Sequence, residues 1–166
     1  MKMNLKLAAV ALVFGVLLAG ATTNLQAQDT NASNYKIEGG WYFNVVVPPG
    51  TPGPPSFFAL DTFAKGGGWS GHASTDSIAH WSGVFGSWAQ HDGRIVVTAY
   101  QFIEDNSGAP IGLVILHRQM HLTSANTVQG TSSVSFCDLD GQNCFTPPAN
   151  ATFTGVRIHA AGPVNP

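Results

Sequence analysis

The sequence beyond residue 38 predicts an all-β protein, an eight-stranded antiparallel up-and-down barrel. Runs rich in β-branched and aromatic residues alternate with clusters of Gly, Pro, Asn and Asp, and no amphipathic helical pattern separates them. The connections are short, so strands that follow one another must pair antiparallel, because parallel pairing needs long crossovers. Eight such strands remove both sheet edges by closing into a barrel, whereas the alternative, a two-sheet sandwich, keeps them.

The predicted strands follow one another along the chain, each bounded by turn residues. They cover residues 41–47, 57–64, 69–73, 84–90, 94–104, 111–123, 128–137 and 151–160. The third is the weakest, because the glycine- and serine-rich stretch 70–77 is also compatible with a mobile flap at the barrel mouth. The proline-rich stretch 48–55 belongs to no strand interior and separates the first two strands.

The amino terminus has the pattern of a cleavable export signal over residues 1–27. Lys2 and Lys6 precede the apolar run 7–18, which is too short to span a bilayer comfortably, and Ala27 provides a small residue at the cleavage point. An uncleaved anchor is the alternative. We therefore expect a periplasmic or secreted protein with a flexible leader over 28–38 and a single barrel domain over 39–162.

The charge content of the chain excludes some classes of partner. Of 166 residues, 10% are charged and 44% are hydrophobic, with a net charge of −2. Removing residues 1–27 leaves five basic and nine acidic residues, a net charge of −4. A chain of this charge lacks the basic surface that nucleic acids require. No later segment is apolar and long enough to form a membrane-spanning helix.

Two cysteines flank a turn-rich hexapeptide near the carboxyl terminus. Cys137 and Cys144 enclose residues 138–143, and in an exported protein this spacing predicts a disulfide. Closing so short a loop contributes roughly 2–3 kcal/mol to stability. A catalytic thiol is disfavoured because no basic neighbour would lower its pKa. The acidic residues of the loop also suggest calcium, but their spacing does not match that of an EF-hand.

Histidines are the first candidates for chemistry. His117 and His121 lie on one face of a predicted strand, but about 13 Å separates residues four apart on a strand, too far for one metal ion. We therefore expect no metal and no cofactor. Either histidine is a candidate to contact a ligand, and His121 would change its charge at mildly acidic pH.

Asp61 is the candidate general acid or base. It shares a strand face with Phe57 and Phe63, so if that face points inward the carboxylate lies among aromatic rings. Desolvation would then raise its pKa. The alternative is that Asp61 faces water or pairs with Arg94 or Arg118.

Aromatic residues on the predicted strands supply candidate contacts to a ligand inside the barrel. The strand 94–104 has two faces of similar character, and the sequence leaves open which of them points inward. The predicted ligand-binding residues are Phe63, Trp88, Tyr100, Phe102, His117 and His121.

A short pattern at the two ends of the barrel sequence resembles that of calycins and lipocalins. The first strand opens with Gly39-Gly40-Trp41, and the last contains Arg157 within Thr154-Gly-Val-Arg-Ile158. In the calycin pattern the tryptophan closes one barrel end beneath a basic residue, which implies a structural role for Trp41 and Arg157. The order of segments also resembles small exported bacterial barrels of the calycin-like or allene-oxide-cyclase-like type.

These observations lead to three functional expectations. The first is binding of a small apolar or amphipathic molecule inside the barrel. The alternative is a cofactor-free cyclase or isomerase, as the second resemblance implies, with Asp61, Tyr100 or His117 as its polar group. The remaining one is a structural or interaction role with a filled core. A cavity of a few hundred Å³ would favour the first two, and convergence of the three polar residues would favour the enzyme.

Overall fold

Eight antiparallel strands close into an up-and-down barrel in the computed structural model, which describes residues 35–51 and 53–159. The predicted fold class is therefore confirmed. The predicted signal over 1–27, most of the leader and the end of the chain lie outside the described residues.

Every strand pairs with its neighbours in sequence, and the first strand pairs with the last to close the barrel. The strands are β1 (Gly39–Val46), β2 (Ser56–Phe63), β3 (Gly68–Ala73), β4 (Val84–His91), β5 (Arg94–Glu104), β6 (Pro110–Ser124), β7 (Thr127–Cys137) and β8 (Ala151–Arg157). The weak third segment is a paired strand rather than a flap, since β3 is hydrogen-bonded to both β2 and β4. A single helical turn that the sequence pattern did not predict, α1 (Asp76–Ala79), follows β3.

Side chains alternate between the interior and the outer surface along each strand, as the pleat requires. The clearest case is β6, where the even-numbered residues Val114, Leu116, Arg118, Met120 and Leu122 are buried. The residues between them lie on the outer face, which includes both histidines of this strand. One arginine therefore enters the barrel interior together with four apolar side chains.

Large apolar side chains fill one end of the barrel, which we call the closed end. The largest of them, Trp41, Phe43, Phe63 and Ile95, are almost completely buried. They belong to one contiguous cluster with Ile37, Val97, Met120, Leu122, Val128 and Phe153. These side chains fill the interior of the barrel at the closed end.

Trp41 and Arg157, for which the calycin resemblance implies a structural role, contact each other at this end. The Arg157 guanidinium lies 4.4 Å from the centre of the Trp41 ring, a cation–π contact. Its three nitrogens donate hydrogen bonds to the carbonyl oxygens of Lys36, Glu38 and Ala125. Arg157 thus ties the segment before β1 and the turn before β7 to the closed end.

The predicted disulfide between Cys137 and Cys144 is present, with 4.1 Å between the two Cα atoms. Cys137 ends β7, whereas Cys144 lies in the loop that leads to β8. Asp138 accepts hydrogen bonds from Gln142 N at 2.6 Å and from Asn143 Nδ2 at 2.7 Å. The disulfide and these bonds fix a compact loop at the end of the barrel opposite Trp41.

Within residues 35–51 and 53–159, no three or more His, Cys, Asp or Glu side chains are grouped so as to hold a metal ion. In the same part of the chain, no helix is sufficiently long and apolar to cross a membrane.

Candidate ligand-binding cavity

The half of the barrel opposite the closed end contains a cavity of about 490 Å³, open to solvent at one side. Its walls are mainly apolar and come from the inward faces of the strands, including Val45, Phe57, Ala59, Val84, Val114 and Leu116. Its rim is formed by the β1–β2 loop, α1 and the β7–β8 loop. The interior is therefore filled at one end only.

The size of the inward side chains explains why one half is filled and the other is not. Inward positions in the open half are mostly small or medium, such as Ala59, Ala73 and Ala151, whereas Trp41 and Phe63 occupy the closed half. An eight-stranded barrel is just wide enough to be filled by side chains or to hold one small ligand. Here side chains fill the closed end of the barrel and leave room for a small ligand at the open end.

Asp61 and Arg118 form the floor of the cavity. Each is the deepest residue of its strand to line the cavity, and the next inward residues, Phe63 and Met120, belong to the packed core. Arg118 Nη1 donates a hydrogen bond to Asp61 Oδ2. Because β2 and β6 lie four strands apart in either direction around the barrel, this pair crosses its full width.

The ion pair is buried and lies among aromatic side chains. Asp61 is 3% exposed and Arg118 is 6% exposed. The Arg118 guanidinium lies 5.3–5.5 Å from the ring centres of Phe43, Trp69 and Phe153. These ring faces and the Asp61 carboxylate stabilise the buried cation, which water would otherwise solvate.

Burial raises the pKa of the Asp61 carboxyl, and the positive charge and hydrogen bond of Arg118 oppose that shift without cancelling it. The sequence predicted either a desolvated carboxylate among aromatic rings or a pair with arginine. Asp61 combines the two, since it faces inward beside aromatic residues and also contacts Arg118.

Three buried polar atoms at the floor have no hydrogen-bond partner: Asp61 Oδ1, Arg118 Nε and Trp69 Nε1. The Trp69 indole lies close enough to the carboxylate to lower its pKa, but the two groups are not placed for a hydrogen bond of normal geometry. Gly71, which pairs with Asp61 across the strands, makes room for the carboxylate, since a Cβ atom there would lie 2.6 Å from Asp61 Oδ1. All three atoms have almost no accessible surface, so they are enclosed by the protein rather than exposed in the cavity.

A second buried carboxylate holds the rim in place. Asp76 begins α1, is 1% exposed, and accepts a hydrogen bond from Ala73 N at 2.7 Å. His72 Nδ1 lies 3.1 Å from the same Asp76 oxygen. On the opposite rim, Phe145 pairs with Phe136 by two backbone hydrogen bonds. Both loops at the mouth are thus attached to the strands beneath them.

Two of the predicted ligand-binding residues lie at the closed end. Phe63 points inward but belongs to the packed core, below the level of the cavity. Trp88 packs against Phe63, with 5.9 Å between the ring centres, and its Nε1 donates to Ala64 O. Trp88 also borders a shallow groove near the segment before β1, which is separate from the cavity.

The prediction that Tyr100, Phe102, His117 and His121 line the interior is wrong. Tyr100 and Phe102 are about half exposed on the outer face of the barrel. The two histidines also face outward, where His117 contacts Thr98 and His121 contacts Gln129. The reason is the two-residue repeat of a strand, since the neighbours of these residues occupy the inward positions.

The same alternation separates the three residues on which catalysis was predicted. Asp61 lies at the cavity floor, whereas Tyr100 and His117 are on the outer surface. The three side chains therefore do not converge, and the predicted catalytic arrangement does not form.

The sequence pattern predicts Arg118 only as an alternative partner for Asp61 and not as a cavity residue. A signal was present, because the apolar series at 114, 116, 120 and 122 places residue 118 on the buried face of β6. An arginine in that series requires a buried partner. Ser132, which pairs with Arg118 across β6 and β7, adds a further polar group at the floor.

No protein-family model matches the chain, and neither a curated protein nor a solved structure is significantly similar to it. The resemblance to calycins and to allene-oxide-cyclase-like barrels therefore stays a prediction about family.

Proposed function

We propose that this protein binds a small apolar or amphipathic molecule in the open half of the barrel. The observation that carries the proposal is the cavity of about 490 Å³ with mainly apolar walls and a polar floor. Small-molecule sites in proteins typically have volumes of roughly 300–1,000 Å³, apolar walls and a few polar groups that set orientation. An apolar ligand gains free energy by leaving water for such a site.

Binding is a better proposal than catalysis for this cavity. Among the predicted catalytic residues only Asp61 lines it, and Arg118 already occupies one of its carboxylate oxygens. A general base needs a free lone pair directed at the substrate proton and usually a second group to complete the reaction. We therefore do not propose a cyclase or isomerase.

We also propose that the protein is exported. The signal pattern over residues 1–27 and the Cys137–Cys144 disulfide support this, because structural disulfides form in oxidising compartments. Amino-terminal sequencing of protein recovered from the periplasm or the medium is expected to begin at Gln28. A mature protein that begins at Met1 would contradict cleavage.

A cavity-blocking variant tests the binding proposal. Leu116 lines the cavity, so Leu116→Trp fills part of it, while His117→Trp places the same side chain on the outer face of the same strand. N-phenylnaphthylamine, a neutral apolar dye, is titrated into each protein and its fluorescence is followed. We expect saturable binding to the wild type and to His117→Trp, and at least about tenfold weaker binding to Leu116→Trp.

Thermal melts of both variants show whether each is folded before the comparison is made. Equal binding by a folded Leu116→Trp variant would contradict the proposal, since the dye would then bind elsewhere. Mass spectrometry of gently purified protein provides an independent measurement, in which a natural ligand is expected to be released from the wild type and lost from Leu116→Trp.

A further inference from the structure

We propose that the open end of the barrel docks onto a zwitterionic lipid surface, with the exposed apolar side chains around the cavity mouth inserted among the lipids. The inference goes beyond the proposed function, since it gives a partner to the outer surface rather than a ligand to the cavity. It rests on where the exposed apolar side chains and the charged side chains lie on the barrel.

Exposed apolar side chains surround the mouth of the cavity. We call six of them the apolar collar, each between 47% and 81% exposed: Val46, Ile78, Phe102, Ile111, Leu139 and Phe145. They come from the end of β1, from α1, from the adjoining ends of β5 and β6, and from the β7–β8 loop. Because the strands follow one another around the barrel, these elements lie on all sides of the mouth. Grouped exposed apolar side chains mark an interaction surface, whereas scattered ones do not.

Positive side chains are absent from this end among the residues that the structure describes. Arg118 is buried at the cavity floor. The other four Lys and Arg residues of the described chain lie at the closed end, before β1 or β5, after β2, and at the end of β8: Lys36, Lys65, Arg94 and Arg157. The collar therefore lacks the basic groups with which proteins bind anionic lipid.

Carboxylates are the charged groups next to the collar. Glu104 is the last residue of β5 and Asp105 follows it, while Asp138 and Asp140 lie in the loop that the disulfide closes. An anionic lipid surface repels these groups, whereas the outermost ammonium groups of zwitterionic headgroups attract them. The charge of the open end is therefore complementary to a zwitterionic lipid surface.

A second copy of the chain fits this face less well than lipid does. Two copies packed collar to collar would bring the carboxylates of both together, with no Lys or Arg from the described part of either open end between them. A protein partner at one side of the rim would also leave the opposite side of the collar exposed. Insertion of the whole end into a lipid layer buries the collar on all sides at once.

Docking by this end has a consequence for the cavity, because the cavity opens inside the collar. Phe145 belongs both to the collar and to the cavity lining. An apolar ligand is far more soluble in lipid than in water. The docked protein can therefore exchange ligand with the lipid directly. This consequence rests on the proposed function, whereas docking itself does not.

Binding to lipid vesicles tests the inference. The exported form of the protein is used, since the apolar run 7–18 of an uncleaved chain would itself bind lipid. Cosedimentation is measured with phosphatidylcholine vesicles and with an equal mixture of phosphatidylcholine and phosphatidylglycerol. We expect binding to phosphatidylcholine, and binding at least about threefold weaker to the mixture, a difference that added salt reduces.

The triple variant Ile78→Gln/Ile111→Gln/Leu139→Gln removes half of the collar without changing the charge. None of these three residues lines the cavity, so dye binding is expected to persist. Its affinity for phosphatidylcholine vesicles is expected to fall at least about tenfold.

The matched control is Val96→Gln/Val156→Gln/Ile158→Gln, which makes the same change at exposed residues of the closed end. It is expected to bind phosphatidylcholine vesicles as the wild type does. Thermal melts establish that both triple variants are folded.

A fluorescent label gives a second measurement that needs neither triple variant. Cys137 and Cys144, the two cysteines of the chain, are joined in the disulfide, so an introduced cysteine is the free thiol that takes an environment-sensitive dye. With phosphatidylcholine vesicles, labelled Ile78→Cys is expected to show a blue shift, and labelled Ile158→Cys is expected to show none.

The outcomes decide what covers the collar. The proposal is wrong if the wild type does not bind phosphatidylcholine vesicles, if it prefers the anionic mixture, or if both folded triple variants bind as the wild type does. It is also wrong if the wild type is instead a dimer that the open-end variant dissociates, as sedimentation equilibrium would show. Vesicle binding is measured without a ligand, so it can succeed where dye binding to the cavity fails, and the reverse.

Discussion

Arg118 Nη1 donates a hydrogen bond to Asp61 Oδ2 across the full width of the barrel, between residues 57 positions apart in the sequence. The pair joins strands that are not neighbours and separates the packed core from the cavity. One contact therefore links the stability of the fold to the chemistry of the candidate site. Each of its consequences can be measured.

The two partners are expected to be strongly coupled in stability. Asp61→Leu or Arg118→Met alone leaves an uncompensated buried charge and is expected to lower the free energy of unfolding by about 3–5 kcal/mol. The double variant Asp61→Leu/Arg118→Met leaves no buried charge and is expected to be close to the wild type. Urea unfolding of all four proteins measures the coupling. Small and additive losses would show that the pair is not an energetic unit.

Asp61 is expected to make the free energy of unfolding fall as the pH rises, which is the opposite of the usual effect of a carboxylate. Its pKa is raised above the ordinary value of 3.8, so the folded protein holds the Asp61 proton more tightly than the unfolded chain does. As the pH rises from 3.8 through the raised pKa, the unfolded chain loses that proton first, and stability falls. The free energy of unfolding of the wild type relative to Asp61→Asn is therefore expected to decrease with rising pH in that window.

Asp105 provides the control of opposite sign for that measurement. Hydrogen bonds from Ser107 and Ala109 lower its pKa in the β5–β6 turn. Its contribution to the free energy of unfolding is present above pH 3.8 and is lost as the pH falls through the lowered pKa. Asp105→Asn and Asp61→Asn are thus expected to shift the pH profile in opposite directions. Two shifts in the same direction would contradict the environment described for Asp61.

The contribution of Arg157 to stability is expected to depend on its planar guanidinium group. Lysine keeps the positive charge, but its compact ammonium group lacks the fork of nitrogens with which Arg157 reaches three separate carbonyl oxygens over the Trp41 ring. Arg157→Lys is expected to lower the free energy of unfolding by about 1–2 kcal/mol. Arg94→Lys on the exposed outer face is the matched control and is expected to have little effect. If Arg157→Lys and Arg94→Lys lowered the denaturant midpoint equally, the stability of the closed end would not depend on the guanidinium of Arg157.

The Cys137–Cys144 disulfide is expected to stabilise the fold measurably. It closes a short loop, so its reduction is expected to remove roughly 2–3 kcal/mol of stability and lower the melting temperature. The double variant Cys137→Ser/Cys144→Ser is the control, because its melting temperature is expected to be low and insensitive to reductant. A wild-type melting temperature that does not change on reduction would contradict a stabilising role.

The strands, the turns and the disulfide of this protein can be predicted from the sequence, because each depends on residues close together in the chain. Seven of the eight strands have clear patterns that begin and end at turn residues, and even the weak third one forms. The helical turn at Asp76 was missed, since it has only four residues and is held by a buried carboxylate rather than by helical periodicity.

Which face of each strand points inward was decided only by the tertiary structure. Both faces of β5 are apolar enough to be core, yet Ala99 faces inward and Tyr100 faces outward. A Cβ atom at Gly86 would lie 2.6 Å from that of Ala99, so this part of the wall has no room for a large side chain.

The pairing of Asp61 with Arg118 likewise depends on closure of the barrel, which brings opposite strands to a common level. Local patterns therefore specify the strands and their order. The limited volume of a closed interior selects the side chains that enter it, and with them the cavity and its floor.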